Sequence, residues 1–94
     1  MTDICQEYKL LFEKFLAGAI PVEEFQTVYL GRFKNEQRSL DEALYELLEG
    51  VFGDVDSFTT DQQLLVDDSD FYLDELQLRE KVRQASIRLA ALTR

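Results

Sequence analysis

Histidine and tryptophan are absent from this chain, and cysteine and proline occur once each. Each absence excludes something. Without histidine, the commonest general base and metal ligand is missing, which counts against most acid–base enzymes. A single thiol, Cys5, cannot close an intramolecular disulfide, and no charged-then-apolar leader opens the chain. The expected compartment is therefore the reducing cytoplasm. Cys5 falls near a helix start beside an apolar face, with no histidine to activate it, so it reads as an inert packed thiol. The longest apolar run, Leu16 to Val22, is seven residues and is broken by Gly18 and Pro21. No segment of that length crosses a bilayer. Glycine is scarce too: no phosphate cradle is present, and Gly50 and Gly53 read as residues that weaken a helix end.

The most informative absence is local. From Ser39 to Leu78 there is no lysine, arginine or histidine, and twelve acids fill the gap. Arg38 and Arg79 fence the stretch. The net charge of −9 thus divides into −12 in this block and +3 in the rest of the chain. Carboxylates crowded together raise one another's energy, so a compact domain that keeps such a block is expected to present it to something positive. A pI near 4.3 argues against direct nucleic-acid binding and against docking on anionic membranes. A basic protein surface is the natural complement.

Hydrophobic residues make up 46% of the chain, too many for a disordered acidic tail. Its 94 residues predict one domain, residues 1–94, with a single core. Ile4, Tyr8, Leu11 and Phe15 share a 4-3-4 spacing, widened by Phe12 and Leu16, which predicts a first helix from Asp3 to Ala19. Gly18 and Pro21 force a tight connection. A second helix starts near Pro21, with Phe25, Val28, Tyr29 and Phe33 inward; Lys34 to Arg38 closes it or forms the next loop. Ser39-Leu40-Asp41-Glu42 fits a capping box for a third helix, whose face is Leu40, Leu44, Leu47 and Val51, broadened by Ala43, Leu48 and Phe52. Asp54 to Phe58 is expected to be irregular or a separate short turn. Thr59 to Leu73 is the least regular segment. A fourth helix is capped by Asp74, stapled by Leu73 and Leu78, and carries Leu78, Val82, Ala85, Leu89 and Leu92 inward. The predicted fold is all-α, an antiparallel four-helix bundle.

Several chemistries fit poorly. A calcium loop starting at Asp68 would need a glycine where Leu73 stands and a glutamate where Arg79 stands; one starting at Asp54 meets Phe58 and Leu65. No metal or other cofactor is expected. A carboxylate pair working as acid and base has no supporting signal. The bland alternative for the acids is a solvated helix face. Such faces usually interleave lysine, because opposite charges at i, i+4 add a few tenths of a kcal/mol and like charges subtract it. Glu42, Glu46 and Glu49 lie on one side of the third helix with no lysine among them. Phe71 and Tyr72 flank the loop acids, and one of the two, Tyr72 foremost, is expected to be exposed as an interface anchor.

Three groups of residues carry a family likeness: Phe15-Leu16-Ala17, Ile20 and Glu24-Phe25 in the first turn; Phe52, Asp56, Phe58 and Asp61 after the third helix; Asp74-Glu75, Leu78-Arg79 and Val82 opening the fourth. In their order and separation the chain resembles the colicin D immunity proteins. That resemblance implies an inhibitor, not an enzyme. It would bind one-to-one to the basic nuclease domain of a toxin that cleaves transfer RNA, delivered as a colicin or by contact between neighbouring cells. The inhibitor's acids would occupy the place of RNA phosphates in the toxin's positive cleft. Acids matching Asp56 and Asp61 are carried over as toxin-contacting. Asp54, Asp67, Asp68 and Asp70 come from the charge pattern, and Glu46 and Glu49 supply supporting field. The free protein is expected to be a monomer. Rival readings are an acidic helical adaptor for another basic protein and a nucleic-acid mimic that blocks a DNA-binding protein.

Overall fold

Helices form wherever the apolar spacing demands them. The computed structural model describes residues 4–37 and 39–92; the predicted helix start at Asp3 and the fence residue Arg38 lie outside them. Among the described residues there are five helices and no strand: α1 (Ile4–Leu16), α2 (Val22–Lys34), α3 (Glu42–Asp56), α4 (Gln62–Asp67) and α5 (Glu75–Leu92). The long helices touch in a ring, α1 on α2, α2 on α3, α3 on α5 and α5 on α1. The six-residue α4 stands apart from that ring, in the excursion between α3 and α5.

The core is aromatic on one side and aliphatic on the other. Tyr8, Phe12 and Phe15 of α1 meet Phe25 and Tyr29 of α2, all fully buried. Phe15 and Phe25 stack at 4.3 Å between centroids, and Tyr8 meets Tyr29 edge-on at 5.9 Å, arrangements that add to the gain from burial alone. Leu44, Leu48, Val51 and Val55 of α3 and Leu78, Val82, Ala85 and Leu89 of α5 complete the core.

Local chemistry sets the helix ends. α1 closes in a Schellman motif: Gly18 takes a left-handed φ of 81°, its N–H bonds Phe15 O at 3.1 Å, and Ala19 N–H bonds Lys14 O at 2.9 Å. Glycine adopts that backbone without a Cβ penalty. Pro21 stands just before α2 as its N-cap. α5 starts as predicted. Asp74 Oδ1 accepts the Gln77 N–H at 2.8 Å, and Gln77 Oε1 accepts the Asp74 N–H at 3.1 Å. This is a reciprocal capping box.

Four expectations need correction. The third helix begins at Glu42, with Asp41 as N-cap, not at Ser39. Leu40 is half-buried against the core and lines one groove with Tyr45, so it acts as the apolar residue preceding the cap rather than as a helical one. The helix then continues through Gly50 and Gly53 to Asp56, because Val51 and Val55 bury a full last turn and outweigh the propensity cost of glycine. The stretch from Thr59 to Leu73 contains α4, which Asp61 caps. On α2 the inner line is Val22, Phe25 and Tyr29, while Val28 is exposed at the α1–α2 edge.

One polar contact is built into the core. The Tyr29 hydroxyl donates to Leu48 O at 2.7 Å, tying α2 to α3. Burial, with Tyr8 and Asp54 nearby, pushes the Tyr29 phenol well above its ordinary range. A raised folded-state pKa means stability that is present below the unfolded value and is lost as pH rises past it. Stability should therefore fall above pH 10, the unfolded value, by about 1.4 kcal/mol per pH unit from this group. Tyr29→Phe should cost about 0.5–1.5 kcal/mol at pH 7, since it removes this buried hydrogen bond while the Leu48 carbonyl keeps its place in the helix ladder. It should also flatten that alkaline slope. Urea unfolding at pH 7 to 11 measures both effects.

Candidate functional site

The acids divide into two environments. On α3, the line Leu44, Leu48, Val51 and Val55 faces inward, so Glu42, Glu46, Glu49 and Asp56 fall on the solvent side, and all four are exposed. Asp54 sits at the flank, half-buried, and shares an open groove with Glu46, Lys81 and Arg88 of α5. Burial pushes the Asp54 carboxyl above its usual range, while the Lys81 ammonium pulls it back. The α3–α5 contact thus gives Asp54 and Glu46 positive neighbours that lie beyond the acid block in the sequence. Among the described residues, Glu49 and Asp56 form no ion pair.

Asp56 is the last residue of α3. Its position is held from three directions. Gln26 Nε2 of α2 donates to Val55 O at 3.1 Å. Phe58 is buried two residues on. The backbone there pairs with the far end of the excursion: Leu73 N–H bonds Ser57 O and Thr59 N–H bonds Leu73 O, both at 3.0 Å. This parallel bridge pins both ends of the segment 59–73 to one point.

Within the pinned excursion Asp61 is exposed but employed. Its Oδ1 accepts the Gln63 N–H at 2.9 Å and the Leu64 N–H at 3.4 Å, capping α4. Its own N–H bonds the Thr59 hydroxyl at 3.1 Å. Asp67 is exposed, with both carboxylate oxygens bonded by Gln63 Nε2 at 2.9 Å. Asp68 ends α4, and its carbonyl accepts the N–H groups of Phe71 and Tyr72. Asp70 is exposed in the turn that follows. Tyr72 is half-buried, and it is Phe71, 57% exposed and edge-on to Tyr72, that stands out into solvent.

These placements bring Asp56, Asp61, Asp67, Asp68 and Asp70 to the end of the molecule where α3 stops and the excursion begins. Glu46 and Asp54 belong to the α3–α5 groove instead. Among the described residues, Glu75 is the only acid of the 39–78 block in an ion pair, with Arg79 at 3.0 Å. α5 behaves in the ordinary way, with Glu80 paired to Arg83 at 2.6 Å. The last turn of α3 holds Asp54 and Asp56 and no base, and α4 likewise ends on Asp67. Negative charge at a helix C-terminus opposes the macrodipole at about 0.3–1 kcal/mol per group. Local stability is given up here.

Sequence reasoning missed Leu64, Val66 and Leu76 as exposed apolar residues of the same region, while Phe71 is one of the pair expected to hold an exposed anchor. Leu64, Val66, Phe71 and Leu76 are all exposed, Val66 and Leu76 by more than three quarters. For Leu76 a signal existed: it lies off the Leu78–Val82–Ala85 face of its helix. Among the described residues no group of three or more carboxylate or thiol side chains is placed to hold a metal ion, and no helix is long and apolar enough to cross a membrane.

An all-helical scaffold with a pinned, acid-rich, partly apolar end defines a protein-binding module. The chain belongs to the family of bacterial self-protective colicin-like immunity, which it matches over residues 3–89. That membership makes it an immunity protein, which neutralises a toxin rather than catalysing a reaction. No curated protein and no solved structure matches the chain.

Proposed function

We propose that this immunity protein is of the colicin D kind and neutralises a toxin that cleaves transfer RNA. In this reading the long helices form one antiparallel four-helix bundle in a single domain, monomeric in the cytoplasm until it meets one toxin domain. Asp56 and Asp61, supported by Glu49, Asp67, Asp68 and Asp70, enter the nuclease's basic cleft where RNA phosphates would lie. The observation that carries the proposal is the exposed Asp56 at the end of α3, in no ion pair among the described residues, with the backbone on either side of it held by the Gln26 and Leu73 contacts.

The physics is that of charge complementarity. A ribonuclease gathers cations around the scissile phosphate, so its cleft carries a strong positive field. Carboxylates on a preformed scaffold enter that field without offering a bond to cleave. Long-range attraction raises association toward about 10⁸–10⁹ M⁻¹s⁻¹ at low salt. Co-expression with the basic nuclease domain encoded beside its gene tests the proposal. Cells should survive, their transfer RNA should stay intact, and the two proteins should co-purify one-to-one. Cell death without association would overturn it.

A further inference from the structure

We infer that the groove between α4 and the start of α5 is a binding site for an arginine side chain presented by the basic partner, an inference that rests on the toxin-binding reading for the partner's identity. The groove encloses about 280 Å³, with Phe58, Leu65 and Leu76 as apolar walls and Thr59, Asp74 and Glu75 as polar lining. Leu76 is 78% exposed.

The lining selects the occupant. A purely apolar side chain would cover Leu65 and Leu76 but strip water from Asp74, which has no ion-pair partner among the described residues, and from the free oxygen of Glu75, a costly exchange. A small cation would answer the carboxylates and leave the apolar walls wet. An arginine does both: its methylenes lie on the apolar walls and its guanidinium reaches the carboxylates. Arginine suits the site better than lysine because its charge is delocalised and weakly hydrated, and its fork donates to two acceptors at once. The carboxylates retain capacity. Asp74 uses Oδ1 for the α5 cap and Glu75 uses Oε2 for Arg79, leaving the second oxygen of each without a described bond. The chain's own nearest guanidinium cannot fill the groove. Arg79 does not line it: Nε donates to Glu75 Oε2 and Nη1 to Phe15 O, both at 3.0 Å, and the guanidinium lies 4.6 Å from the Phe15 ring centre.

The test uses the full chain and three probes at matched ionic strength: Nα-acetylarginine methylamide, Nα-acetylnorleucine methylamide and guanidinium chloride. Methyl NMR reads the Leu65 and Leu76 resonances. The arginine probe should shift both in a saturable way, at least about tenfold more tightly than either half-probe, since each satisfies only one part of the lining. Leu76→Ser should weaken that binding several-fold, while Ile87→Ser, exposed on α5 but outside the groove, should leave it unchanged. No saturable shift up to high millimolar arginine probe, an equal response to norleucine, or indifference to Leu76→Ser would each overturn the assignment. Protection from toxin without arginine binding would sink the groove alone. Arginine binding without protection would sink the toxin reading and leave the groove standing.

Discussion

Replacing Asp56 with asparagine should weaken toxin binding by about 30–5,000-fold while making the free protein slightly more stable. The two effects have one cause. Asp56 ends α3, where the helix dipole already concentrates negative charge, and Asp54 adds more in the same turn. Removing one carboxylate there relieves about 0.3–1 kcal/mol of unfavourable field. In a basic cleft the same carboxylate becomes a desolvated partner of cations, and truncating one member of such a pair costs about 2–5 kcal/mol. Opposite signs for stability and affinity are the signature of a residue kept for binding. Asp61 needs a different substitution. Its carboxylate caps α4, so Asp61→Lys would disturb the excursion as well as the charge. Asp61→Asn keeps a side-chain oxygen for the Gln63 and Leu64 N–H groups, because asparagine caps as well as aspartate. A comparable loss of affinity in Asp61→Asn, with circular dichroism unchanged, would assign the effect to charge. Glu13→Lys, on the exposed side of α1, should change affinity little. Surface plasmon resonance against the toxin domain resolves the three, and equal losses in all of them would mean that net charge, not a localised face, drives association.

Much of this scaffold was legible because long amphipathic helices repeat their signal over several turns. The lines Tyr8–Leu11–Phe15 and Leu78–Val82–Ala85–Leu89 needed only 3.6-residue periodicity, and the Asp74 cap needed only an acid before an apolar run. The acid-rich end was legible for a different reason: charge composition does not depend on packing. What escaped was set by contacts between distant segments. α4 is too short for its Leu64-Leu65-Val66 triplet to show a period, and its formation depends on the Asp61 cap and the Ser57–Leu73 pairing. Asp54 looked like its neighbours until α3 met α5 and placed it by Lys81. Val66 and Leu76 escaped notice, since no local pattern says that the core is already full without them. Exposed apolar residues of this kind break the rule that apolar side chains go inside, and only the packed structure reveals the exception.

Phe15→Ala should be the most destabilising of the substitutions considered, lowering stability by about 3–5 kcal/mol. Against a total of about 5–15 kcal/mol for a domain of this kind, that leaves a marginal fold. The midpoint temperature should fall by at least about 12 °C, given a shift of about 4–8 °C per kcal/mol at this size. The reason is that one ring joins three elements. Its face stacks on Phe25 of α2, and the Arg79 guanidinium of α5 lies over the ring at 4.6 Å. Its carbonyl receives Gly18 N–H and Arg79 Nη1 at the α1 terminus. Phe15→Leu keeps most of the buried area and loses the ring terms, so about 1–2.5 kcal/mol is expected from the stacked pair and the cation–π contact together. Arg79→Met separates them further. In the wild-type background it removes both the carbonyl bond and the ring contact; in Phe15→Leu it removes only the bond. The double-mutant cycle should therefore return a coupling of about 0.5–1 kcal/mol. A coupling near zero would mean that Arg79 acts on α1 through the carbonyl alone.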